Sequence, residues 1–179
     1  MEPRRFETAL GPLDVRVGRV ADVEAYCALK ADVLAEGEWF ITEVDEFDAS
    51  EGLNARLLTS LIEEANSCFL TAWVSGGLAG VVLIQGGHLR RMKHVGRLEI
   101  YVGEECRGIG VGQALMEVAM EWATGAEAVT KLSLAVFAEN GGAVRLYERF
   151  GFEVEGRRVN EYRLSDGSYV DDLLMSRSV

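Results

Sequence analysis

Residues Arg97–Trp122 read RLEIYVGEECRGIGVGQALMEVAMEW. The first six alternate. Leu98, Ile100 and Val102 share one face, and Glu99 and Tyr101 share the other, which is the two-residue period of a strand. From Val111 onward the apolar residues are Val111, Leu115, Val118, Ala119 and Trp122, close to the spacing of one helical face. Between the two runs lies a turn with glycine at 103, 108, 110 and 112. Strand, glycine-rich turn and helix together suit an anion. The first amides of a helix lack intrahelical partners, and the helix dipole is positive there. Gly108, Gly110 and Gly112 have no Cβ, so the backbone can approach a phosphate closely. Arg107 adds a positive charge at the mouth. The segment therefore suits a diphosphate.

Working outward, Phe69–Val74 and Leu78–Ile84 are apolar runs joined by Ser75-Gly76-Gly77, the pattern of an antiparallel hairpin. Two helices are expected before it. One runs from a cap at Asp22 to about Glu36, the other from Ser50 to about Glu64, with Trp39–Asp48 as a loop between them. The apolar face of the first is imperfect and includes Lys30. Leu13–Val17 alternates as a first strand. Downstream come the strand Lys131–Val136, a helix Gly141–Phe150 ended by Gly151, and closing strands Phe152–Arg158 and Tyr169–Met175 around Asp166-Gly167. The order β-α-α-β-β-β-α-β-α-β-β predicts an α/β (α+β) fold. Its central sheet is mixed and mostly antiparallel, flanked by about four helices. A single domain of residues 1–179 is expected, with residues 1–11 as a loosely ordered tail.

Several function classes fall away. A P-loop needs Gly-Lys-Ser/Thr after its turn, and no Gly-Lys pair occurs in the chain. The dinucleotide fingerprint fails because Gln113 stands where its third glycine belongs. A net charge of −11 argues against nucleic acid as a partner. No apolar run approaches a membrane span, and the first residues do not read as a secretory signal, so a cytoplasmic location is expected. Cys27, Cys68 and Cys106 are too few and too scattered for a disulfide framework or a metal site, and no metal is expected. Between Asp32 and Glu64 ten acids face only Arg56. Such a run is a solvated surface in most proteins, and it could also draw in a cationic amine.

Arg107-x-x-Gly110-x-Gly112 resembles the acetyl-CoA motif of the GNAT superfamily of N-acetyltransferases, usually Arg/Gln-x-x-Gly-x-Gly/Ala. The superfamily typically continues with a strand, an Asn, a short helix bearing Tyr, and Gly-Phe. Here these are Lys131–Val136, Asn140, Tyr147 and Gly151-Phe152. The likeness is strong over Arg97–Glu155 and consistent over Leu13–Met175. The tail Phe152–Met175 looks like the small bacterial N-acyltransferases that act on amino acids and similar amines.

The resemblance implies roles. Acetyl-CoA would be the co-substrate. Its pyrophosphate would lie on the backbone amides of Arg107, Gly108, Ile109, Gly110, Val111 and Gly112. The backbone of Ile100, Tyr101 and Val102 would pair with the pantetheine arm. Asn140 would hydrogen-bond that arm, and Ala143 and Tyr147 would line its thiol end. Asn140 reads equally as a helix N-cap, and Tyr147 also reads as a core aromatic. The implied reaction is direct attack by a small-molecule amine on the thioester. Tyr147 would protonate the departing thiolate, and a backbone amide of the Arg97–Val102 strand would polarise the carbonyl. Glu99 is the candidate general base, and it reads as well as a solvent-facing strand residue. His88 and His94 are alternatives if their loop folds inward. Two other readings stay open: acylation of peptide N-termini or transfer of longer acyl chains, and a CoA-binding sensor without catalysis. A homodimer is an assembly the resemblance admits.

Overall fold

The computed structural model describes residues 1–179. Eight strands are present: β1 (Arg4–Thr8), β2 (Gly11–Val17), β3 (Cys68–Val74), β4 (Gly77–Gly86), β5 (Val95–Val102), β6 (Lys131–Phe137), β7 (Glu153–Arg163) and β8 (Tyr169–Ser178). They form one sheet in the order β1-β2-β3-β4-β5-β6-β8-β7. Every neighbouring pair is antiparallel except β5 with β6. Four helices complete the fold: α1 (Val23–Ala35), α2 (Glu51–Glu63), α3 (Val111–Gly125) and α4 (Gly141–Arg149). The mixed, mostly antiparallel sheet with four helices matches the sequence expectation.

Strand alternation divides the apolar residues between two faces. Leu70, Ala72, Val82, Ile84 and Leu98 join the side chains of α3 in a core of 25 buried residues. Phe69, Val81, Leu83 and Tyr101, from the intervening positions, pack with α1 and α2 in a core of 10. The larger core lies between the sheet and α3, and the smaller one lies under α1 and α2.

The amino terminus corrects one expectation. Residues 1–11 are not a loose tail, because Arg4–Thr8 pairs with β2 in register from Arg4↔Val15 to Thr8↔Gly11. Phe6 packs against the larger core, and the Thr8 hydroxyl donates to the Gly11 carbonyl at 2.8 Å, closing the turn. A short strand with two leading arginines carries little hydrophobic signal, so its pairing comes from the neighbouring strand.

Asp22 also departs from its expected role. Its carboxylate does not cap α1. It accepts from the Arg19 amide at 2.8 Å and from both terminal nitrogens of Arg16, each at 2.8 Å, closing the short turn before the helix. At the other end of the chain Gly151 ends α4 with φ +76°, and the Phe152 amide donates to the Tyr147 carbonyl at 3.1 Å. This is the left-handed cap the sequence predicts.

Candidate active site

The sheet opens at its one parallel pair. β5 and β6 are in register only from Val95↔Lys131 to Arg97↔Ser133, after which β6 is held by β8 alone. From Leu98 to Val102, β5 pairs with β4 on one side and has no strand on the other. The phase of its backbone follows from two bonds. The Gly103 amide donates to the Ala79 carbonyl at 3.0 Å, and Gly87 donates to Val95 at 3.2 Å. Odd-numbered residues of β5 therefore bond β4, and even-numbered ones face the gap. Ile100, through its amide and carbonyl, and Val102, through its amide, thus offer backbone groups to an extended arm, while the Val102 carbonyl accepts from Arg107 Nε.

Tyr101 does not fit that set, because its backbone lies in the ladder opposite Val81. The assignment of all three residues, Ile100, Tyr101 and Val102, as backbone partners ignored the two-residue alternation. Tyr101 faces the other side of the sheet through its ring.

The glycine turn joins this edge to α3. Gly108 has φ +72° and Gly110 φ +98°, so both positions need glycine for backbone reasons. Gly112 lies inside α3, and a Cβ there would sit 3.4 Å from Leu146, so its smallness serves the approach of α4. The first backbone bond of α3 runs from Ala114 to the Gly110 carbonyl at 2.9 Å. The amides of Ile109, Gly110, Val111 and Gly112 precede it at the helix N-terminus. Arg107 is different, since its amide already donates to the Glu104 carbonyl at 3.1 Å. This cradle and the free β5 edge fit the two halves of CoA: a diphosphate and an arm with amides.

Nor is the Arg107 charge free at the mouth. Its two terminal nitrogens donate to Glu36, at the end of α1, at 2.6 and 2.7 Å, and Nε donates to the Val102 carbonyl at 3.0 Å. The guanidinium ties α1 to the turn, and Glu36 neutralises it. Arg107→Ala is accordingly expected to weaken CoA binding less than about tenfold, because Glu36 already neutralises the guanidinium. Calorimetry checks this, and a loss beyond about 100-fold would restore the guanidinium as the main anion contact.

Asn140 caps α4 through Oδ1, which accepts from the Ala143 amide at 3.1 Å. The helix-cap reading holds, and its amide nitrogen stays available. Tyr147 is the one fully buried residue of α4, 6% exposed, with its ring 5.9 Å from that of Phe152. No hydrogen bond within the chain engages its hydroxyl. Burial, and then the charge of Glu99, push its phenol above the usual range.

Glu99 is exposed on β5 and accepts from the Tyr101 hydroxyl at 2.9 Å. Its charge is felt by Tyr26, Lys30 and Tyr101 on one face of the sheet and by Tyr147 on the other.

His88 and His94 lie in the loop before Val95, separated from Val102 by roughly 23 Å of strand. Both are exposed, and the His94 carbonyl accepts from the Thr130 and Lys131 amides at 2.9 and 3.1 Å, at the paired end of β5 and β6. The Cys106 thiol is pushed up by burial and by the charge of Glu105, which makes it a poor nucleophile at neutral pH.

Sequence reasoning missed the side chains on the α1 face of β5. Phe40 stacks on Tyr101 with ring centroids 4.7 Å apart, and Lys30 reaches the same tyrosine from α1. The only signal in the sequence was a lysine interrupting an apolar stripe. Four of the ten acids in the acidic stretch have partners within the chain. Glu36 serves Arg107, Glu46 accepts from the Glu43 amide, Asp48 from the Ser50 amide, and Glu64 from the Ser60 and Ser67 hydroxyls.

A sheet split at a parallel pair, beside a helix N-terminus with unpartnered amides, offers the two features an acyl-CoA needs, an edge for its arm and donors for its diphosphate. Comparison with known proteins agrees. Residues 33–152 match the Acetyltransferase (GNAT) family, and the chain belongs to that family. An L-amino acid N-acetyltransferase of Escherichia coli (strain K12) is 33% identical over 108 residues, 60% of this chain and 66% of that protein. The match thus spans just under two thirds of that relative's length. A spermidine N(1)-acetyltransferase of Vibrio cholerae serotype O1 is 29% identical over 134 residues, 74% of this chain and 73% of that one. The crystal structure of a GNAT-family acetyltransferase from Streptococcus pneumoniae superposes with a TM-score of 0.88 at 27% identity, covering 93% of this chain and 99% of that one.

Proposed function

We propose that this protein transfers the acetyl group of acetyl-CoA to the primary amine of a small molecule, an amino acid or a related amine. The observation that carries this reading is Tyr147, whose ring is buried against Phe152 while its hydroxyl is bonded to no group of the chain. Acetyl-CoA supplies the acetyl group as a thioester. The chain supplies the rest. The amides of Ile109 to Gly112 hold the diphosphate, and the even-numbered backbone groups of β5 align the arm. An amide of β5 facing the gap polarises the carbonyl oxygen. The amine nitrogen bonds to the carbonyl carbon as the carbon–sulfur bond breaks. Tyr147 gives its proton to the sulfur, and Glu99 takes the proton lost by the amine, directly or through water.

A free thiol near ~8.5 and a free phenol near ~10 are close enough for easy transfer. Burial raises Tyr147, and burial of a thiol in the same cleft would shift it in the same direction. Purified protein incubated with acetyl-CoA and a panel of amines should add one acetyl group to at least one of them, scored by mass spectrometry. CoA binding with no acetylated product from any amine would leave the sensor reading in its place.

A further inference from the structure

On the face of the sheet that carries α1, an aromatic box surrounds one ammonium. Lys30 Nζ lies 5.0 Å from the ring centroid of Phe47 and 5.1 Å from that of Tyr101, and it meets Tyr26 at the hydroxyl end of its ring. Ring faces attract a cation but accept no ordinary hydrogen bond. Of its three donors, Lys30 spends one on the Tyr26 hydroxyl, at a long 3.4 Å. No carboxylate forms an ion pair with it, although the chain has 29 acids and several stand nearby in sequence. A half-buried ammonium with unspent donors invites an anionic oxygen from outside. The position is specific. The Tyr101 ring under Lys30 carries the hydroxyl that donates to Glu99, so cation and candidate base meet the same tyrosine, one at its ring and one at its hydroxyl.

We propose that Lys30 anchors the carboxylate of an α-amino acid acceptor and so directs its amine toward Glu99 and the open edge of β5. This rests on the acetyl-transfer reading above and narrows its acceptor to amines that carry a carboxylate. A polyamine would bring a second cation against Lys30 and be rejected.

The test compares wild type, Lys30→Met and Lys30→Arg on L-amino acids, the matching carboxamides and spermidine. Wild type should favour each acid over its carboxamide by about 10–100-fold in kcat/KM. Lys30→Met should raise KM for the acids by about that factor, with kcat within about twofold, and leave the carboxamides unchanged. Lys30→Arg should recover most of the loss. Equal losses on acid and carboxamide would overturn the proposal, as would a wild type that acetylates carboxamides or spermidine as well as the acids. Unchanged CoA affinity in Lys30→Met shows that the variant folds. Calorimetry of acid and carboxamide with the CoA-loaded protein separates the two claims. If no amine is acetylated, acetyl transfer fails, yet binding of the acid that Lys30→Met abolishes still supports the site; equal binding of acid and carboxamide removes it.

Discussion

Gly110→Val is expected to abolish CoA binding, by at least about 100-fold, in a chain that still folds. Gly110 has φ +98°, and an added Cβ would meet nothing within 4 Å, so the penalty is backbone strain and not a clash. A β-branched residue at that φ is an outlier. Strain of this kind costs on the order of 1–3 kcal/mol, against a typical stability of about 5–15 kcal/mol, so the fold survives. The turn relieves the strain by rotating its peptides, and those peptides point the amides of Ile109 to Gly112. Hydrogen bonds to a charged group are worth about 1.5–3 kcal/mol each, so misdirecting two or three exceeds 100-fold in affinity. Calorimetry with CoA and a thermal melt measure the two halves of the claim. Unchanged affinity would remove this turn as the diphosphate site.

Tyr147→Phe is the second large effect. The ring packs against Phe152 and keeps that packing as phenylalanine, so the substitution removes only the hydroxyl and its proton. General acid catalysis contributes about 10²–10⁴-fold, and kcat should fall by that factor while CoA affinity barely changes. The sign of the pH effect follows from the raised phenol. A Tyr147 held above the free phenol range, near ~10, stays protonated as pH rises through that range. Its loss therefore contributes no fall in kcat below about pH 10 in the wild type. Near-normal kcat in Tyr147→Phe, measured under conditions where chemistry limits the rate, would make the residue a packing group.

Much of this was legible because it is written in local pattern. The alternation of Leu98, Ile100 and Val102, the glycines before Val111 and the stripe of α3 each follow from backbone geometry within a few residues. Gly151 could be read as a helix stop for the same reason. The rest depends on contacts distant in sequence. That Glu36 would neutralise Arg107, 71 positions away, has no local signature. Which residues of β5 face the gap is fixed by hydrogen bonding to β4, so residue type alone could not exclude Tyr101. The box around Lys30 gathers Tyr26, Phe47 and Tyr101 from a helix, a loop and a strand. Each reads as ordinary core or loop, and only their meeting makes a site. β1 was missed because its pairing with β2, and not its own composition, makes it a strand.

The measurement closest to the central claim is release of free thiol from acetyl-CoA by the purified wild type, with and without amino acids. The cleft between β5 and β6 is taken here to bring acetyl-CoA and an amine together for direct transfer. Thiol release should then rise and saturate with amine concentration, matching acetylated product one for one. A release rate identical in the presence and absence of every amine, from protein that binds CoA, would contradict it.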